Sequence, residues 1–203
     1  MSNPAFLIDG DFRALAKGGA EVVSPFEEEF VQAASIDLRL SGLSYRYRFD
    51  SYSLGQEVSE ADYAESEFGE LSLSPGESCF VGIEETIRIP SDCLGFIFAR
   101  SSITRLGITI PPVFMNPGYS GRPPLTIINS ANFPVKLIPR VRVAQLVCAR
   151  LSASPKLPYD AAESSKYVDE DTAPSRLHTD EEIAAALDRV LRNTLPAQML
   201  LEA

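Results

Sequence analysis

Between Ala99 and Thr126 the chain reads ARSSITRLGITIPPVFMNPGYSGRPPLT. Arg100, Ser101, Ser102 and Arg105 gather two guanidinium groups and two hydroxyls within six residues, followed by an Asn116-Pro117-Gly118 turn, and the stretch holds no Asp or Glu. Such a set suits an anionic ligand, because charge-assisted hydrogen bonds from Arg and Ser to phosphate oxygens contribute roughly 1.5 to 3 kcal/mol each. It lacks the group that would activate water near neutral pH, since without a metal that work falls to a positioned carboxylate or histidine.

The rest of the composition narrows the chemistry. His178 is the only histidine, so a Ser/His or Cys/His pair could be built around that residue alone. The zinc-deaminase signature, His-x-Glu with Pro-Cys-x-x-Cys, is absent, which excludes zinc of that kind. Cys79, Cys93 and Cys148 are odd in number and far apart, unlike a disulfide framework or a thiolate metal site.

A net charge of −10 argues against general binding to nucleic acid or anionic membrane, but the charge is unevenly spread. Asp50 to Asp92 carries eleven acidic residues and one basic one, Arg88. Cys93 to Tyr159 carries no acid and eight basic residues, over 67 positions. Taken singly these are scattered surface charges. Taken as a run they point to a polyanionic small ligand or to an acidic neighbouring subunit.

The elements that must hold these residues are mostly short strands. Residues 34–40, 43–49, 78–83, 86–89, 94–99, 125–129, 134–138 and 141–149 are rich in β-branched and aromatic side chains, with turn signals such as Ser74-Pro75-Gly76 between several of them. That spacing predicts a mainly β sandwich or barrel. A short helix is expected first, capped by Asp9 or Asp11, burying Phe12, Leu15 and Ala16 on one face and ended by Gly18-Gly19. The acidic stretch from Glu57 to Glu70 reads as a solvated insertion. Near the C-terminus Thr179 and Glu182 form a capping-box pattern ahead of a stripe of Ile183, Leu187, Val190 and Leu191, which packs on the chain's own core or on a protein partner, and Pro196 stops the helix. The length fits one domain, no apolar run approaches the ~18 residues of a membrane span, and the N-terminus lacks a secretory pattern, so a cytoplasmic location is expected.

In order along the chain, SPFEEEFVQAASIDLRL, ARSSITRLG, NPGYSG, NSANFPVKL, VAQL and PYDAAESSKY resemble the dCTP deaminase and dUTPase family. The match covers most of residues 1–178, leaving 179–203 as a C-terminal helical extension. The spacing from Tyr159 to Lys166 and the following Tyr167 favour the deaminase branch over the dUTPases, whose Gly-rich C-terminal motif is missing. The resemblance implies a distorted β-barrel or jelly-roll, a homotrimer with sites between subunits, and a deoxynucleoside triphosphate such as dCTP or dUTP carried with Mg²⁺. In the deaminase branch it implies metal-independent deamination. By that resemblance Arg100, Ser101 and Ser102 hold phosphates, with Tyr159 and Lys166 from the C-terminal segment, and Arg105 lies near the reacting base. Asp37 matches the first family motif or serves a structural role at a strand end.

Two acids of the family pattern are replaced. Counting through NPGYSGRPPLT puts Thr126 at the general-base glutamate, and Asn116 stands where an aspartate precedes Pro-Gly. Pro111-Pro112 occupies the base-reading segment, about two residues shorter than the deaminase pattern, and Pro123-Pro124 begins the strand that should carry the glutamate. Glu170 replaces a neutral phosphate-contacting side chain, where its charge would repel a triphosphate unless Mg²⁺ lies between them. The expected protein is therefore a nucleotide-binding trimer inactive or weakened in deamination. The alternatives are an active deaminase or dUTPase with its acid relocated to Asp37, Glu163 or Glu170, and a purely structural trimer docking a partner.

Overall fold

A computed structural model describes residues 5–171 and 174–194, with side chains through Val190. Their contacts form two compact units, one of residues 5–46 with 65–171 and one of 47–64 with 174–194.

In the first unit, helix α1 (Asp9–Lys17) buries Phe12. Its cap is Ile8 rather than Asp9 or Asp11; the Asp11 carboxylate accepts the Ile8 N–H at 2.9 Å and so satisfies a donor that the first turn leaves open. Gly18 and Gly19 end it as expected. The strands that follow are β1 (Val23–Ser24), β2 (Val31–Gln32), β3 (Ser35–Tyr47), β4 (Tyr63–Glu67), β5 (Leu71–Leu73), β6 (Ser78–Ile83), β7 (Thr86–Arg88) and β8 (Cys93–Ala99). After the one-turn helix α2 (Ser101–Thr104) come β9 (Ile108–Thr109), β10 (Val113–Met115), β11 (Ser120–Arg122), β12 (Leu125–Asn129), β13 (Val135–Leu137), β14 (Arg142–Arg150) and β15 (Glu170–Asp171). β3 and β4 begin or end in the second unit.

The largest sheet runs β10-β8-β14-β3-β6-β12-β9, and a smaller one runs β1-β7-β11-β15. The fold is mainly β, a sheet curled into a half-barrel. What curls it is β3. The stretches 34–40 and 43–49 are not two strands but one, which pairs with β14 through Ile36↔Leu146 and Asp37↔Gln145, then with β6 through Ser44↔Val81 and Tyr45↔Phe80. Between Leu40 and Ser44 the register shifts. There Gly42 accepts the Phe68 N–H at 2.8 Å, and a Cβ at Gly42 would lie 3.3 Å from the Phe68 carbonyl oxygen. Ser41-Gly42 thus makes a bulge that bends the strand between the two stretches that the sequence pattern separates.

The core lies inside this curl. Leu38, Val81, Ile97, Leu125, Ala144 and Leu146 have no exposed surface, each alternating with a more exposed neighbour along its strand. Removing such a side chain from water contributes roughly 1.5 to 3 kcal/mol for the branched aliphatics. The acidic stretch keeps Glu65, Glu67 and Glu70 in solvent, as expected of an insertion, yet Phe68 within it packs on the core.

The second unit is built on aromatic contacts. The Tyr47 and Phe49 rings lie 5.2 Å apart and Phe49 and Tyr52 4.9 Å apart, while the Tyr47 hydroxyl accepts the Ser175 N–H at 2.9 Å. Helix α3 (Glu181–Thr194) starts two residues after Thr179, whose hydroxyl turns back to the Arg176 carbonyl at 2.8 Å, so the Thr179–Glu182 capping box does not form. The helix's first turn is closed on the Asp180 carbonyl instead. Ile183 and Leu187 are half-buried and Val190 is exposed; the Leu191 side chain and Pro196 lie outside the described residues. No helix among the described residues is long and apolar enough to cross a membrane.

Candidate anion-binding site

Strand β8 delivers Arg100 to the start of α2. The Arg100 N–H donates to the Val143 carbonyl at 2.9 Å, its backbone is extended, and the chain turns at once into Ser101–Thr104. The side chain is anchored on its inner edge. Nε lies 3.4 Å from Asp37 Oδ1, and Nη1 donates to the Arg142 carbonyl at 3.2 Å. Arg142 reaches the same carboxylate, with Nη1 3.2 Å from Oδ2, and Gln32 Nε2 donates to that oxygen at 3.5 Å. Asp37 is only 1% exposed, whereas the Arg100 and Arg142 side chains are 30% and 38% exposed. Ser101, Ser102 and Arg105 follow at the surface.

Asp37 stands third in β3, in mid-pairing with β14 rather than at a strand end, and meets two arginines. One buried carboxylate faces two guanidinium groups. The cluster keeps a surplus positive charge at its solvent edge, which attracts an anion.

A second arginine cluster adjoins the first. Arg39 sits opposite Arg142 across β3 and β14, and both guanidinium groups stand over the Phe30 ring, at 4.7 and 5.3 Å from its centroid. Arg39 is bound by Glu85, Nε to Oε1 at 2.7 Å, and by Glu27 at 2.9 Å. The Arg39 N–H also donates to Glu85, at 3.0 Å. Burial pushes the Glu85 carboxyl above its ordinary value, against the opposing pull of Arg39. Sequence reasoning missed Phe30, Arg39, Glu85 and Arg142. Arg39 and Glu85 lie 46 residues apart along the chain and Asp37 and Arg142 105, so neither pairing leaves a local pattern.

The remaining expected site residues lie elsewhere. Thr126, on β12, faces outward and half-buried, opposite Phe80 of β6, whose ring stacks on Tyr45 at 4.6 Å. Asn116 is exposed, and its carbonyl accepts the Tyr119 N–H to close the Pro117-Gly118 turn.

The C-terminal segment docks on this turn. The Tyr159 N–H donates to the Pro117 carbonyl at 2.8 Å, and its hydroxyl accepts the Tyr167 N–H at 3.0 Å. Tyr119 donates its hydroxyl to Glu170 at 2.6 Å, and β15 runs parallel to β11. Burial, then the Glu170 charge, pushes the Tyr119 phenol well above its ordinary value. Two glycines permit the approach. Gly118 and Gly121 have φ of 83° and 150°, and a Cβ would come 2.6 Å from Asp160 Oδ1 at the first and 2.8 Å from the Glu170 carbonyl oxygen at the second. Lys166 lies half-buried on the same segment, and Glu163 is exposed.

Arg100 and the Asn116 turn do not meet within one chain. Met115 pairs with Gly95, so Asn116 falls beside Leu94, six residues from Arg100 along β8. At about 3.3 Å per residue the two ends of the expected site stand roughly 20 Å apart.

Thiol chemistry finds no footing. Burial pushes Cys79 up to about 11 and Cys93 and Cys148 up to about 12, which keeps all three protonated near neutral pH.

The sequence pattern of the dCTP deaminase-like family matches residues 6–151. The chain is 33% identical over 169 residues to a protein of Rhodococcus erythropolis named dCTP deaminase, dUMP-forming, covering 79% of this chain and 89% of the relative. It is also 33% identical over 190 residues to a dCTP deaminase of Halorubrum lacusprofundi, covering 87% and 93%. Among solved structures, a 2′-deoxycytidine 5′-triphosphate deaminase from Agrobacterium tumefaciens superposes with a TM-score of 0.58 at 25% identity, over 73% of this chain and 49% of that one. This chain thus spans about half the length of that solved chain. With such a match over most of its length, and relatives a third identical across nearly their whole sequences, the chain belongs to the dCTP deaminase-like family.

Proposed function

We propose that the protein is a homotrimeric, cytoplasmic deoxynucleoside triphosphate-binding member of this family, with little or no dCTP deaminase activity. The observation that carries the binding half is Arg100, held at the head of α2 by Asp37 with Ser101 and Ser102 exposed beside it. In this reading these residues hold the phosphates, Arg105 stands toward the base, and Tyr159 and Lys166 of a second copy complete the cradle. Residues 179–203 form an extension beyond the nucleotide-binding domain.

The roughly 20 Å between Arg100 and the Asn116 turn along β8 supports the trimer, because a second copy could bring its Tyr159 nearer to Arg100 than the same chain does. The exposed apolar face of β8 and β10 supports it too. Phe98 and Phe114 lie there with Phe96, whose ring contacts both, and a second copy would remove them from water.

The weak chemistry rests on the acids. Thr126 presents a hydroxyl where a base is required, and Asn116 cannot ionise. The relocated candidates are engaged or exposed: Asp37 binds two arginines, Glu170 accepts the Tyr119 hydroxyl, and Glu163 lies in solvent. Mg²⁺ comes as the counter-ion of the triphosphate. Asp37 does not fit as its ligand, since both carboxylate oxygens already face arginine.

The test is incubation of the purified full chain with dCTP or dUTP and Mg²⁺, alongside calorimetric titration and light scattering. Expected are a trimer, binding of at least one deoxynucleoside triphosphate, and product formation about 10² to 10⁴ slower than for an enzyme with its general base. Robust turnover to dUTP or dUMP would sink the lost-acid reading. A trimer that binds no nucleotide would leave a purely structural role.

A further inference from the structure

We infer that Arg142 is a second guanidinium contact for the phosphate chain, set beside Arg100 by the buried Asp37. This rests on the nucleotide-binding reading above and adds to it a residue that the family pattern did not supply.

The geometry is specific. Arg142 and Arg100 converge on the two oxygens of one carboxylate, at 3.2 and 3.4 Å. Each therefore spends one nitrogen on Asp37, and Arg100 spends another on the Arg142 carbonyl. The two side chains are tied together twice, once through the acid and once through the Arg142 backbone. The nitrogens left over belong to side chains a third exposed. The Arg142 guanidinium also stands over the Phe30 ring, 5.3 Å from its centroid, a cation–π contact that favours this placement of the side chain. A pre-ordered, partly desolvated pair of guanidinium forks with one charge in excess is suited to phosphate oxygens, which accept two parallel N–H bonds. Arg39, only one strand away, has no such surplus, because it faces both Glu85 and Glu27.

The experiment titrates the full chain with dCTP and, separately, with inorganic tripolyphosphate, each with Mg²⁺, by calorimetry. Arg142→Ala is expected to weaken both ligands about 10- to 100-fold, the loss of one charge-assisted contact. Lys136→Ala removes an equal charge from an exposed pair with Glu70 and is expected to change affinity less than about twofold. The double variant Arg100→Ala/Arg142→Ala is expected to bind about tenfold more weakly than Arg100→Ala alone. Should Arg142→Ala fail to fold, Arg142→Lys keeps a cation for Asp37 but loses the fork, and both affinities should still fall at least about threefold.

Arg142→Ala matching Lys136→Ala would overturn the inference while leaving the nucleotide-binding reading intact. So would a double variant no weaker than Arg100→Ala, since Arg142 would then act only through Arg100. A loss confined to dCTP would assign Arg142 to the sugar or base and overturn the phosphate assignment. Failure of the wild-type protein to bind either ligand would overturn both readings together.

Discussion

Two arginine clusters share the Phe30 ring, and they differ in how their charges close. Around Arg39 one cation meets two carboxylates, and the Glu85 side chain is wholly buried. Around Asp37 one carboxylate meets two cations, both of which reach solvent. The first arrangement has spent its positive charge inside the protein; the second holds some in reserve. Adjacency on the same pair of strands therefore says little about role. The ratio of acids to arginines, and the side on which solvent lies, separates a structural ion pair from a candidate ligand site.

The largest effect that could break this contrast is on stability. Arg39→Ala strands a buried Glu85 carboxylate and should cost about 3 to 5 kcal/mol in urea unfolding. Arg142→Ala leaves Asp37 with Arg100 and Gln32 and should cost about 1 kcal/mol or less, as expected of a partly exposed pair. Equal losses would erase the distinction between the clusters.

Phe30→Leu tests what the clusters share. It keeps an apolar side chain beneath both guanidinium groups but removes the ring face, so it should cost about 1 to 2 kcal/mol in the same assay. No change would mean that the ring only fills space.

The smallest effect sharpens the buried side through pH. Burial raises the Glu85 carboxyl above its unfolded value, so the folded chain takes up this proton before the unfolded chain does as pH falls. Stability contributed at this position should therefore rise as pH drops from above the folded value toward the ordinary 4.5 of a glutamate. Measured as the difference between wild type and Glu85→Gln across that window, the curve should slope upward toward acid. A flat difference would place Glu85 in contact with water.

Much of the fold was legible in advance because it is local. Alternation along LGFIFA and LTIIN marks half-buried strands, and Asn116-Pro117-Gly118 marks a turn with φ positive at its glycine. The motif around Arg100 drew attention to that residue as a candidate, and the structure adds its contact with Asp37. Arg142 and Glu85 were not legible, since a charged residue on a strand looks like any solvated one until its partner arrives from 105 or 46 residues away. The bend in β3 was misread for a related reason. Gly42 signals a break in the pattern, and only the Phe68 backbone against it shows that the strand continues.

That bend also sets a timetable. The half of β3 beyond the bulge finds β6 about 35 residues downstream, but the half that carries Asp37 must wait for β14, which begins at Arg142. During synthesis at about 5 to 20 residues per second, some 95 residues separate the end of β3 from the start of β14, a delay of roughly 5 to 20 s. Until then the N-terminal half of the central strand has neither its β14 pairing nor Arg142, one of the two arginines that meet its acid. The candidate anion site is thus among the last parts of the chain that can form, and a nascent protein lacking β14 keeps the Asp37 charge without Arg142 on an open strand edge, a state that discourages premature pairing with other chains.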